Sequence, residues 1–350
     1  MQNRADKLCE QLHDNEAVFI SSYPNIFYYS GFTSEDAYLL ISHSGRYIIT
    51  DSRYTIQARE QAKGFEVLDI KDGIEKVFCK TPAKYIGFEE SAMSVKEYKR
   101  LRMKLSDNQD FVEMQKSIDE QRRTKDSEEI KKITEAEKIG DEAFSYILDR
   151  IKVGRTEREI ALDLEFFMKK QGATALSFDT IAASGIRSAM PHGVATDKII
   201  ENGDFLTLDF GCVYEGYCSD MTRTVVVGKA NDRQKEIYNI VLKAQKTAID
   251  AIQADVPCYK IDEAARNVIK DAGYGENFGH GLGHSVGIEI HENPTFSPRC
   301  DEEIKNGHVI TVEPGIYIEG FGGVRIEDLI AVQNDKAVNL THSPKELIEL

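Results

Sequence analysis

With 350 residues the chain exceeds one average domain and suffices for two, each with a core of its own. A formal net charge of −15 leaves no basic excess to displace counterions from nucleic acid or to meet an anionic membrane surface, so small or neutral partners are expected. The six cysteines lack C-x-x-C spacing, the start of the chain lacks the apolar core of a signal peptide, and no apolar run approaches about 18 residues; together these predict a reducing cytoplasm and no transmembrane helix.

Taken in order, Ala17 to Ile20, Tyr38 to Ser42, Tyr47 to Asp51, Val67 to Ile70 and Tyr85 to Phe88 read as short β-rich runs. Helical segments such as Tyr54 to Ala62 and Val95 to Leu105 alternate with them, which predicts a separate α/β domain. The polar stretch Ser117 to Asp126 reads as a linker and puts a domain boundary near 118, giving expected domains 1–118 and 119–350. A helix then starts with Asp126 or Ser127 as its cap and keeps Ile133, Ala136, Ala143 and Ile147 at roughly helical spacing. Further helices are predicted over Glu157 to Lys170, Asp232 to Gln253 and Lys260 to Ala272. Strands are predicted over Phe205 to Phe210, Thr222 to Val227, Val309 to Val312 and Val324 to Val332.

Two hairpins in this second half carry acids where apolar residues belong. Asp209 interrupts the run Phe205 to Phe210, and after Glu215-Gly216 the chain returns through Asp220. A turn centred between the two aspartates would set them nearly opposite each other across antiparallel strands. The pattern recurs with Glu313 and Glu327, which are centred on Gly320 in a glycine-rich turn. Like charges facing across strands destabilise a sheet unless their pKa values rise or a cation lies between them. Four carboxylates match the charge of two dications, with His284 adding one nitrogen. That donor set suits Mn²⁺ or Co²⁺ better than a structural zinc, which prefers Cys and His.

His284 belongs to a run, His280 to Glu292, that reads as strand-like and holds three of the chain's eight histidines: His280, His284 and His291. The run resembles, at every position, the signature of the proline-specific members of the methionine-aminopeptidase/creatinase superfamily, M24-type metallopeptidases that include aminopeptidase P and prolidase. Asp209, Asp220, His284, Glu313 and Glu327 occupy, one by one, the five metal-ligand positions of that family. The resemblance is strong over about 128–332 and weaker over the first 118 residues. It implies an α/β (α+β) fold with a smaller creatinase-like domain before a pita-bread catalytic domain built from two pseudo-symmetric halves. It also implies two divalent ions, Mn²⁺ first and Co²⁺ or Zn²⁺ after it. Asp209 would chelate one ion, His284 and Glu313 would bind the other, and Asp220 and Glu327 would bridge them.

Carried over in the same way, His192, His291 and Glu313 are expected to be catalytic, and His280, Tyr317 and Arg325 to line the substrate site. The implied reaction is hydrolysis of the first bond of a peptide beginning Xaa-Pro, by a water that the two ions activate. Peptides longer than two residues are the expected substrates, as for aminopeptidase P; an Xaa-Pro dipeptidase is the alternative. A creatinase-type enzyme or a non-catalytic binding module on the same fold would have lost ligand residues, and all five are kept here. The resemblance further implies a homodimer, and the charge balance already speaks against nucleic acid or membrane as partner.

Overall fold

The computed structural model describes residues 2–350. The chain divides into two compact units, Met1–Arg122 and Arg123–Leu350. The break therefore falls a little beyond the expected 118. The predicted linker is in fact the end of the first unit, the helix Gln115–Arg123. Its charged face hides a buried one: Ile118 and Arg122 point inward, and the hydroxyls of Tyr28 and Tyr29 donate to the carbonyls of Gln121 and Ile118.

The first unit is built on one six-stranded sheet in the order Glu66–Asp69, Gly45–Thr50, Ala37–Ser42, Glu16–Ile20, Tyr85–Phe88, Asp110–Glu113. The strands Gly45–Thr50, Ala37–Ser42 and Glu16–Ile20 pair antiparallel, and the remaining strands add to them in parallel at both edges. Phe19, Phe78, Phe88 and Phe111 form the aromatic centre of its core. All five predicted strands are present. Asp110–Glu113 was not expected, because only Phe111 of its four residues is buried and no alternation shows.

In the second unit each half pairs an antiparallel sheet with a helix hairpin. The strands Ile181–Ser184, Phe205–Phe210 and Met221–Val226 pack on the helices Ser127–Leu148 and Glu157–Lys170. The strands Glu292–Phe296, Gly283–Ser285, Val309–Val312, Asp328–Gln333 and Lys336–Asn339 pack on the helices Asp232–Asp250 and Cys258–Asp271. This is the pita-bread arrangement. Three of the four helices begin with capping boxes, Asp126 with Glu129, Thr156 with Glu159 and Asn231 with Gln234, so their starts are fixed locally.

The register of the two acidic hairpins differs from expectation in one case and matches it in the other. Asp209 pairs with Thr222 rather than Asp220, and the ladder closes with Met221 opposite Phe210. The cause is the turn: Glu215 and Gly216 both adopt left-handed φ, 46° and 84°, forming a two-residue loop between Tyr214 and Tyr217. That centre lies one position beyond the midpoint of the two aspartates, and each position of turn shift moves the pairing by two residues. In the second hairpin Gly315 pairs with Arg325 and Val312 with Asp328, which sets Glu313 and Glu327 opposite each other in the gap between two short ladders. The expected long strand Val324 to Val332 is accordingly broken into Gly322–Arg325 and Asp328–Gln333.

Candidate active site

The strand-like histidine run is strand only over Gly283–Ser285, then bends back before Glu292–Phe296. Gly283 is needed there, because a Cβ would come within 2.0 Å of the Thr311 carbonyl oxygen on the neighbouring strand. Past the bend, His291 folds over His284 with ring centroids 4.4 Å apart, and it remains exposed.

The Nδ1 of His284 lies 3.2 Å from the Ser285 carbonyl oxygen. A carbonyl only accepts, so Nδ1 carries the proton and Nε2 presents a lone pair. That lone pair faces Asp220 Oδ2 at 3.5 Å and Glu313 Oε1 at 3.6 Å. Burial first, and then His291, pushes the His284 pKa down to about 4, so the ring stays neutral among acids. Burial also raises the pKa of Asp220 and Glu327 well above the ordinary range, with mutual repulsion among the carboxylates adding to it. Glu313 is pushed up to about 8, again mainly by burial. Asp209 keeps a buried Oδ1 with no hydrogen-bond partner, and one ligand atom from each of Asp220, His284 and Glu327 lies within 4.8 Å of the others. Acceptors that converge with too few protons to satisfy them fit divalent cations.

These residues open on a cavity of about 520 Å³, which His192, His280, His291 and Arg325 also line. Arg325 does more bracing than receiving. Its Nη2 donates to Asp209 Oδ2 at 2.6 Å, Nε to the Thr222 hydroxyl at 3.1 Å, and Nη1 to the Pro191 carbonyl at 3.1 Å and the Tyr317 hydroxyl at 3.0 Å. Tyr317 stands behind the cavity wall, where its hydroxyl lies 2.9 Å from His280 Nε2. Because Nδ1 of His280 faces the Gly281 carbonyl at 2.8 Å, Tyr317 is the donor to Nε2, and a hydrogen-bonded chain runs from His280 through Tyr317 and Arg325 to Oδ2 of Asp209. Tyr317 and Arg325 thus hold the cavity groups His280 and Asp209 in place, and of the three expected binding residues His280 and Arg325 line the cavity while Tyr317 does not.

Three supporting residues were not foreseen. Arg223, 1% exposed, donates to the carbonyls of Thr222, Glu327, Ser343 and Pro344 and to Asp328, holding the backbone under both hairpins. An arginine inside the run Thr222 to Val227 was the available signal. Glu137 accepts from the Asp220 amide at 3.2 Å and the Thr341 hydroxyl at 2.6 Å; it falls on the apolar stripe of its helix between Ile133 and Phe144, where a glutamate is out of place. Glu157, buried, accepts from Ser184, Arg187 and Thr196 and so pins both ends of the exposed loop that carries His192. Nothing local in the sequence marks it apart from an ordinary first-turn acid.

A pita-bread catalytic domain holding such a cluster defines a metal-dependent peptidase. The chain belongs to metallopeptidase family M24: residues 131–334 match that family, and residues 3–124 match the creatinase/prolidase N-terminal domain. An Xaa-Pro dipeptidase structure from Bacillus anthracis is 42% identical, with a TM-score of 0.96 over 100% of this chain and 99% of that one. An Xaa-Pro dipeptidase of Pyrococcus horikoshii is 40% identical over 99% of both chains. An X-Pro aminopeptidase structure from Thermotoga maritima is 39% identical, with a TM-score of 0.93 over 99% of this chain and all of that one. No helix among the described residues is long and apolar enough to cross a membrane.

The raised carboxylates have a thermodynamic consequence in metal-free protein. Glu313 titrates near 4.5 when unfolded and about 8 when folded, so between those values the folded state binds more protons. Stability is then greatest below the lower value and declines as pH rises through the window. In EDTA the melting temperature should fall by about 5 °C between pH 5 and 8. Glu313→Gln should remove part of the slope, and excess Mn²⁺ should abolish it. A metal-free melting temperature independent of pH would contradict this account.

Proposed function

We propose that this chain is an Xaa-Pro dipeptidase, a prolidase, that hydrolyses the bond before proline with two divalent cations, Mn²⁺ best matching the oxygen-rich donor set. The observation that carries the reading is the neutral His284 set between the carboxylates of Asp220 and Glu313, in a cavity walled by three more histidines. Preference for the dipeptide departs from the expectation of longer substrates. It rests on relatives named Xaa-Pro dipeptidase that align end to end at 40% and 42% identity. The Thermotoga maritima relative of the other name supports a second reading, Xaa-Pro aminopeptidase.

In this reading Asp209, Asp220, His284, Glu313 and Glu327 would together hold the two cations. Cations held there would supply Lewis acidity, lowering the pKa of a water toward roughly 7 and polarising the scissile carbonyl. Glu313 takes the proton of the attacking water and delivers it to the proline nitrogen; the Thr311 hydroxyl, 3.2 Å from Oε1, steadies that carboxylate. His291 donates to the carbonyl oxygen as negative charge grows there. His192, on its anchored loop, meets the leaving side, and His280 borders the space for the proline ring. Proline has no N–H once in a peptide bond, so its site needs no acceptor for one.

Side-by-side kcat/KM values for Gly-Pro, Gly-Pro-Ala and Gly-Ala test this directly. Gly-Pro should exceed Gly-Pro-Ala by about tenfold and Gly-Ala by about 10²-fold. A tripeptide cleaved faster than Gly-Pro would establish the aminopeptidase reading instead, and equal rates for Gly-Pro and Gly-Ala would remove proline specificity.

A further inference from the structure

The cavity wall holds one acid that the metal cluster does not use. Of its five carboxylates, Asp209, Asp220, Glu313 and Glu327 belong to the cluster, and the fifth is Asp179. Asp179 lies in the connection between the strands Ala175–Leu176 and Ile181–Ser184 and is exposed. No hydrogen bond or ion pair engages it among the described residues. The lining residues beside it in sequence, Phe178 and Ile181, are apolar, as is Val194, which is half exposed, lines the same cavity and is bridged to Ile181.

We infer that Asp179 selects the first residue of the substrate, favouring Lys and Arg as Xaa. This rests on the Xaa-Pro reading above. Proline carries no charge, so in an Xaa-Pro dipeptide the only side chain whose charge can vary is that of Xaa. An apolar wall ending in an unpaired carboxylate matches a side chain with an aliphatic stem and a cationic head. The chain's net charge of −15 adds a field of the same sign, which draws cationic peptides toward the cavity and repels acidic ones. Asp179 touches no cluster residue through any hydrogen bond, so changing it leaves the chemistry of the centre in place.

The experiment compares kcat/KM for Lys-Pro, Leu-Pro and Glu-Pro in Mn²⁺-loaded wild type, Asp179→Asn and Asp179→Lys at low ionic strength. Wild type should favour Lys-Pro over Glu-Pro. Asp179→Asn should lower Lys-Pro by about three- to fivefold, the effect of one exposed ion pair, while Leu-Pro stays within about twofold. Asp179→Lys should invert the preference between Lys-Pro and Glu-Pro, and 0.5 M salt should flatten the differences. Unchanged ratios across the three enzymes overturn the inference. So does a uniform change in all three substrates, which would assign Asp179 to the invariant terminal amine. Turnover of none of these peptides by wild type would instead sink the Xaa-Pro reading itself.

Discussion

Glu313→Gln is expected to lower kcat/KM for an Xaa-Pro dipeptide by roughly 10³-fold or more. Glutamine keeps the shape of the side chain and can still accept from Thr311, but it lacks the charge that is proposed to hold a cation and the basicity that is proposed to accept a proton. The fold should not suffer. Glu313 sits in the gap between two ladders, and its carboxylate is held near a pKa of about 8 by burial, so its ionised form is a liability in metal-free protein. The variant should therefore melt at the same temperature as metal-free wild type at pH 5 and at a higher one at pH 8. Elemental analysis should find about two ions per wild-type chain and fewer in the variant. His284→Ala should be equally inactive, through loss of the one nitrogen donor. Activity of Glu313→Gln within tenfold of wild type would remove Glu313 from the mechanism.

His291→Ala is expected to lower kcat by about 10²- to 10³-fold with little change in KM and no change in ion content. His291 is exposed and packs edge-on against the His284 ring, which leaves it open to the cavity without a part in the core. The proposed contact strengthens only as charge develops on the carbonyl oxygen, so its loss reaches the transition state and spares substrate binding. The split between kcat and KM is the decisive readout. A variant with full kcat, or one that loses ions together with activity, would assign His291 a different role. His192→Ala offers a useful contrast, because its loop is pinned through the backbone and side chains of neighbours, by Glu157 at its ends and by Arg325 at Pro191, so removing the His192 ring should leave ion content intact.

Much of the site is legible in the amino-acid sequence. An aspartate inside an apolar strand, a pair of glutamates symmetric about a glycine turn and three histidines in one short run are local violations of binary patterning, and such violations gather where chemistry overrides stability. The second hairpin's register follows from sequence because Gly320, with φ of 73°, fixes the turn centre. In the first hairpin Glu215 also takes a left-handed conformation, which non-glycine residues adopt seldom, and the expected pairing of Asp209 with Asp220 fails for that reason. The helix Gln115–Arg123 reads as a linker because its charged residues outnumber the single stripe that docks.

By itself, then, the sequence determined which residue types are available, where the turns and helix starts fall, and which acids stand out of place; these depend on steric and capping rules that act within a few residues. Only the tertiary structure decided how the hairpins dock. The salt link from Arg325 to Asp209 spans 116 positions and the hydrogen bond from Thr222 to Glu327 spans 105. It is this docking that turns Tyr317 and Arg325 into braces, puts the lone pair of His284 before two carboxylates, and leaves Asp179 alone on the wall. Such contacts arise from the packing of two sheets whose faces are each merely apolar in sequence, so no local pattern records which residue will meet which.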